Sequence, residues 1–290
     1  MPTGSDQLPE LHPVEGVRLG TTCAGIKTEG RRDLVLIEAA PGTNCAAVFT
    51  QNAFCAAPVT VAREHLAASE GQPRFLLVNT GNANAGTGQP GIDAARACTA
   101  AVADAAGVEP AQVLPFSTGV IGEPLPVSRI VDAIPAAVVA LADDGWADAA
   151  AGIMTTDTRP KGLSVTFNCE GRDYVVTGIA KGAGMIRPNM ATMLAYLATD
   201  MAAAPALLQQ LLVGCVETSF NRVTVDGDTS TNDACLLLAT GAAGNPMVTD
   251  SASPLYDALR GAVEEICVTL AQALVRDGEG ASKFVTVQVN

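Results

Sequence analysis

A glycine turn carrying one lysine, Lys181-Gly182-Ala183-Gly184, leads through Pro188 into an apolar run that opens at Met190-Ala191-Thr192 and continues as MLAYLATD. Gly182 and Gly184 permit positive φ or a close backbone approach to a ligand. Pro188 fixes φ and withholds a donor, which suits a sharp turn into a strand. A threonine at the head of such a strand has two uses. One is structural: a β-branched residue on a half-buried strand, its hydroxyl bonded to backbone. The other is chemical. The Thr192 hydroxyl attacks the Ala191 carbonyl, the acyl group moves from N to O, and hydrolysis of that ester cuts the chain. The α-amine released has a pKa near ~7.7–8.0 and can act as a base at neutral pH, a recognised way of activating a weak hydroxyl nucleophile.

The rest of the chain must support that segment with few aromatics, which make up 4% of residues against 48% hydrophobic, so the core is built from Ala, Val, Leu and Ile. A chain of 290 residues suffices for one large domain or two. The net charge of −13 argues against nonspecific binding to nucleic acid or anionic membrane. No apolar run reaches the length of a membrane span. An anionic substrate would need local cations, for which Lys161, Lys181 and Arg187 are candidates. The eight cysteines are dispersed, with no CxxC and no Cys/His cluster, so a zinc site is not expected. The N-terminal MPTGSDQLPELHPVEG lacks the marks of a secretory signal, and free thiols in the cytoplasm follow.

Taken in order, residues 1–20, with His12, read as a surface arm, and LVLIEAA (34–40), CAAVFT (45–50) and APVTVA (57–62) as strands. His65 lies in a short helical piece and reads as a surface histidine. RFLLVNT (74–80) is a strand and 92–107 an Ala-rich helix. Between them GTGQPG (86–91) fits G-x-G-x-x-G, but NTGNANA intervenes after the strand and no acidic strand end follows at the dinucleotide spacing. A turn with Asn82 and Asn84 bonding backbone is the better account. In VLPFSTGVIG (113–122), Thr118 and Gly119 can aim a hydroxyl and an N–H at a developing oxyanion, or form an ordinary strand-to-helix turn.

Residues 128–143 read as a helix interrupted by Pro135, and GIMTTDTRPKG (152–162) as a hydroxyl-rich strand end or ST-turn. A hairpin is expected around Glu170-Gly171, and an amphipathic helix over 205–219. DGDTSTND (226–233) fails the EF-hand pattern and reads as a polar turn bonding its own backbone. A long helix from 254 stops at Gly278-Glu279-Gly280, where Glu279 is a partner for a substrate ammonium or a solvated carboxylate. SKFVTVQVN alternates as a strand with no tail.

Six blocks, KGAGMIRPNMATML, LVNTGNANAGTG, PFSTGVIGEPLP, IMTTDTRPKG, NRVTVDGDTSTND and VRDGEGASKFVTVQV, together resemble the ornithine acetyltransferase family, the glutamate N-acetyltransferases of arginine biosynthesis. They occur in the family's order and the similarity covers nearly the whole chain. The resemblance implies an α/β fold, an α-β-β-α sandwich with mixed sheets. It implies self-cleavage between Ala191 and Thr192 into an alpha segment (1–191) and a beta segment (192–290) that begins with the nucleophile. It further implies Thr118 and Gly119 as the oxyanion hole. Substrate contacts fall on Lys181, Thr192, Glu279 and Thr155, with Thr156 and Thr158 as alternatives to Thr155.

The implied reaction is ping-pong transfer of acetyl from N2-acetylornithine to glutamate through acetyl-threonine, in the cytoplasm, without metal or cofactor. Some members also use acetyl-CoA, and the implied assembly is a heterotetramer of two alpha and two beta chains. Family members continue into a C-terminal lobe, so this chain reads as a shortened form. Three rivals stand beside this: an aminopeptidase or amidase with the same self-made nucleophile, a dinucleotide-dependent enzyme, and a non-catalytic module.

Overall fold

The computed structural model describes residues 7–187 and 193–288. In chain order the elements are β1 (Val17–Thr22), β2 (Leu34–Ala39), β3 (Asn44–Phe49), α1 (Ala57–Ala68), β4 (Phe75–Asn82), α2 (Gly88–Ala106), β5 (Val113–Val120), α3 (Val127–Val139) and α4 (Trp146–Gly152). They continue with β6 (Lys161–Cys169), β7 (Arg172–Lys181), β8 (Leu194–Thr199), α5 (Pro205–Thr218), β9 (Ala234–Ala239) and α6 (Pro254–Arg276).

The period-two alternation of the strands decides the layering. Leu34 and Leu36 of β2 pack toward Val102 of α2 and Ile130 and Ile134 of α3. Their neighbours Val35 and Ile37 turn the other way and meet Tyr196 of β8 and Leu236 and Leu238 of β9. One step out of phase, Ala195, Leu197 and Leu237 join Leu211 of α5 and Ile266 of α6. Three apolar layers therefore separate four structural ones: helices, sheet, sheet, helices. Phe116 of β5 and Tyr196 meet edge to face between the sheets, centroids 5.4 Å apart. The strand orders are β1-β2-β4-β5 and β3-β9-β8-β7-β6. Both sheets are mixed: β4 with β5 and β8 with β9 run parallel, beside antiparallel neighbours.

Several sequence expectations need correction. APVTVA opens α1 rather than forming a strand, because Pro58 suits a helix's first turn and cannot serve a central ladder. His65 is not an idle surface residue: its Nδ1 lies 2.8 Å from the Val113 carbonyl oxygen and ties α1 to β5. The arm is pinned, since the His12 amide donates to Ser164 Oγ (2.8 Å) and the Thr177 hydroxyl donates to the His12 carbonyl (2.7 Å). Helix α3 runs through Pro135 without a break. Residues 153–160 form a loop, not a strand end. Residues 282–288 form no strand: Val285 and Val287 are 71% and 81% exposed, and no strand runs alongside them among the described residues. The eight cysteines are free thiols. Among the described residues no helix is long and apolar enough to cross a membrane.

Candidate active site at the open end of the sandwich

Strands β4 and β5 end side by side, with Thr80 opposite Thr118 and Gly81 opposite Gly119. Gly119 has φ +136°, and a β-carbon there would fall 2.3 Å from the Gly81 carbonyl carbon, so only glycine fits. Across the gap between the sheets, β7 ends at Lys181, in register with Leu194 at the start of β8. Lys181 is buried, and its Nζ donates to Thr118 Oγ1 at 3.0 Å, joining the two sheets at this end. These groups lie in a cavity of about 460 Å³ whose wall includes Thr155, Thr156, Gly184 and Glu279.

Electrostatics beneath the cavity are set by a buried triad. Lys161 Nζ sits 2.6 Å from both Asp157 Oδ1 and Asp277 Oδ2. Asp157 also accepts the amides of Gly182 (2.6 Å) and Thr155 (3.0 Å), while Asp277 accepts the amide and hydroxyl of Thr158. The triad thus shapes the loop carrying the three threonines and fixes it to the glycine turn. Burial alone would raise the Asp157 pKa, but the ammoniums of Lys181 and Lys161 and these hydrogen bonds hold it below the usual carboxylate value. For Lys181 burial dominates and depresses the ammonium pKa, with Asp157, Asp233 and Glu279 partly opposing the shift.

Of the residues singled out from sequence, Thr118, Gly119, Thr155, Lys181 and Glu279 all line this one cavity. Thr156 lines it too, donating its hydroxyl to Glu279 Oε1 at 2.5 Å, whereas Thr158 is committed to Asp277. The Glu279 amide donates to the Ala183 carbonyl at 2.7 Å. A β-carbon on Gly184 would fall 2.7 Å from Glu279 Oε1, so that glycine admits the carboxylate. Ala191 and Thr192 lie outside the described residues. Lys161 is enclosed by carboxylates rather than offered to a substrate, and Arg187 is exposed and absent from the cavity wall.

The cations that sequence reading missed are Lys27 and Arg31, from the β1–β2 loop. In the sequence KTEGRR they look like any solvated charge run. Arg31 donates to the Met154 carbonyl at 2.6 Å and so steadies the threonine loop.

The acidic turn also does more than bond its own backbone. Asp226 accepts the amides of Met185 and Ile186, and Asp233 Oδ1 accepts the Met193 amide at 2.7 Å. One turn therefore grips both flanks of residues 188–192. By contrast, GTGQPG is filled by its own neighbourhood. The Asn84 amide donates to Asn82 Oδ1, Asn84 Nδ2 donates to the Gly91 carbonyl, and a β-carbon on Gly91 would meet Thr87 Oγ1 at 1.9 Å. Burial pushes the Cys45, Cys98 and Cys215 thiols up to about 12, which disqualifies them as nucleophiles. Among the described residues no three His, Cys, Asp or Glu side chains are grouped to hold a metal.

A family model described as the ArgJ family matches residues 18–290. The chain belongs to the ArgJ family. It is 56% identical over all 290 residues to the arginine biosynthesis bifunctional protein ArgJ of Pseudomonas syringae pv. tomato, covering 71% of that relative. To the ArgJ of Methylococcus capsulatus it is 57% identical, over 96% of this chain and 67% of the relative. A crystal structure of ArgJ from Bacillus halodurans matches at 35% identity and TM-score 0.55, over 61% of this chain and 92% of that one. The ornithine acetyltransferase of Mycobacterium tuberculosis, solved with ornithine, matches at 32% identity and TM-score 0.52, over 62% and 93%. The L-aminopeptidase D-Ala-esterase/amidase of Ochrobactrum anthropi, described as a variant of the Ntn hydrolase fold, covers 96% of this ArgJ-family chain and 89% of its own, at TM-score 0.54 and 12% identity. That likeness concerns the fold alone.

Proposed function

We infer that this chain is an acetyltransferase of arginine biosynthesis, moving an acetyl group from N2-acetylornithine to glutamate. Family membership supports this over the amidase and dinucleotide readings. The observation that carries the chemistry is the 3.0 Å contact from Lys181 Nζ to Thr118 Oγ1, beside Gly119 on the cavity wall. It supplies a hydroxyl, an N–H and a buried cation for one developing negative charge.

The scheme begins with cleavage at Ala191–Thr192, giving segments 1–191 and 192–290. Leu194, two positions after Thr192 in the sequence, is paired with Lys181. The Thr192 hydroxyl attacks the acetyl carbonyl and passes its proton to its own α-amine. Thr118 and Gly119 donate to the oxyanion, and Lys181 polarises the Thr118 hydroxyl from behind. Collapse breaks the C–N bond, and ornithine leaves with the proton. The glutamate amine then forms the new N–C bond as the Thr192 ester C–O bond breaks, and the proton returns to the hydroxyl. Thr155 and Glu279 hold the amino acid's charged groups. The scheme needs no metal or cofactor, and acetyl-CoA can load the same threonine. The assembly we propose is two alpha and two beta segments in the cytoplasm.

Denaturing mass spectrometry of the purified chain tests the reading. The wild type should give two fragments that meet at Ala191–Thr192, and Thr192→Ala should remain intact and inactive. Cleavage or turnover that persists in Thr192→Ala defeats it.

A further inference from the structure

The β1–β2 loop is built to present one side chain. Asp33, 2% exposed, accepts the Ala24 amide on Oδ1 and the Ile26 amide on Oδ2, each at 2.6 Å. Gly25 turns between them at φ +68°, and its carbonyl accepts from the Arg129 guanidinium of α3. Ile26 is buried, so the next residue, Lys27, leaves a fixed root. That root stands over Gly81, where an added β-carbon would lie 2.9 Å from Lys27 Cβ. Gly81 is the register partner of Gly119, and neighbouring strands lie about 4.8 Å apart. Lys27 therefore rises one strand away from the oxyanion glycine.

Lys27 is exposed on the cavity wall and holds no ion pair among the described residues, in a chain of net charge −13. The other nearby cations have partners: Lys181 has the Thr118 hydroxyl, Arg31 the Met154 carbonyl, and Lys161 its two carboxylates. The wall's carboxylates are Asp33, committed to its two amides, Glu279, held by Thr156, and Asp228. One cavity thus carries an uncommitted ammonium as well as acidic groups. The two amino acids of the proposed reaction need both, since the ornithine side chain ends in a cation and the glutamate side chain in an anion.

We propose that Lys27 is an acceptor-specificity residue, whose ammonium binds the side-chain carboxylate of the incoming glutamate and selects it over neutral amino acids of the same shape. This rests on the acetyl-transfer reading. The test is deacylation of the acetylated enzyme by glutamate and by its neutral isostere glutamine, compared as a ratio of second-order rate constants. An exposed charge-assisted hydrogen bond favours glutamate by about tenfold. Lys27→Ala and Lys27→Gln should remove that share of the preference, and Lys27→Arg should keep it. A preference unaltered in Lys27→Ala, or a parallel loss with both acceptors in Lys27→Ala and Lys27→Gln, overturns the proposal. A wild type that acetylates glutamate and glutamine equally sinks this proposal alone. A wild type that acetylates neither sinks the parent reading with it.

Discussion

The β6–β7 hairpin opens on two buried lysines that are used in different ways. Lys161 starts β6 opposite Ala180, and Lys181 follows Ala180 at the end of β7. Two carboxylates close on Lys161 at 2.6 Å, and between them they order the 155–158 loop and the Gly182 turn. Lys181 donates instead to a neutral hydroxyl, and its balancing carboxylates act from further off. A cation saturated by anions is a brace. A desolvated cation on a hydroxyl can still respond to charge that appears during a reaction. On the proposed mechanism, adjacent positions in one ladder divide support from chemistry.

Removing the brace should do the most damage. Lys161→Met leaves Asp157 and Asp277 buried without their shared partner and should cost about 3–5 kcal/mol, read from the denaturant midpoint. A loss below about 1 kcal/mol would erase the distinction between the two lysines. Lys181→Met should invert the pattern, lowering kcat about a hundredfold while the midpoint falls by less than in Lys161→Met. If stability falls and kcat does not, Lys181 is a second brace. Thr156→Val frees the Glu279 carboxylate and should raise KM for the acetyl donor about fivefold, the worth of one hydrogen bond.

The subtlest effect is on acid stability. Because the folded Asp157 pKa lies below its ordinary value, the unfolded chain binds more protons between the two. Stability from this group is therefore present above the ordinary value and lost as pH falls through the folded one. Asp157→Asn should flatten that acid limb, measured by urea midpoints below about pH 5. An unchanged slope would show that Asp157 is not what the acid titrates.

Much of the site was legible through the family likeness, because each local setting by itself also fits an ordinary turn or a solvated side chain. Thr118-Gly119 follows a buried strand, Lys181 stands alone in a glycine turn, and Glu279 lies between glycines at a helix end. The four layers followed from the family likeness and agree with the alternation of Leu34 to Ile37. What escaped were partnerships between distant segments. Asp277 reaches Lys161 across 116 residues, and nothing local marks either as half of a pair. Lys27 reaches the cavity because the β1–β2 loop carries it over Gly81 of β4. The helix at Ala57 was misread because valines spaced by two fit either period, and only Pro58 argued otherwise.

The order of the five-stranded sheet has a consequence for a chain cut before Thr192. Residues beyond the cut supply β8 and β9, the residues before it supply β3, β7 and β6, and the order is β3-β9-β8-β7-β6. The later piece is interleaved between strands of the earlier one, hydrogen-bonded along both margins. Neither product can drift away without unzipping the middle of the sheet. The severed protein would travel through a column as a single particle and come apart only on denaturation.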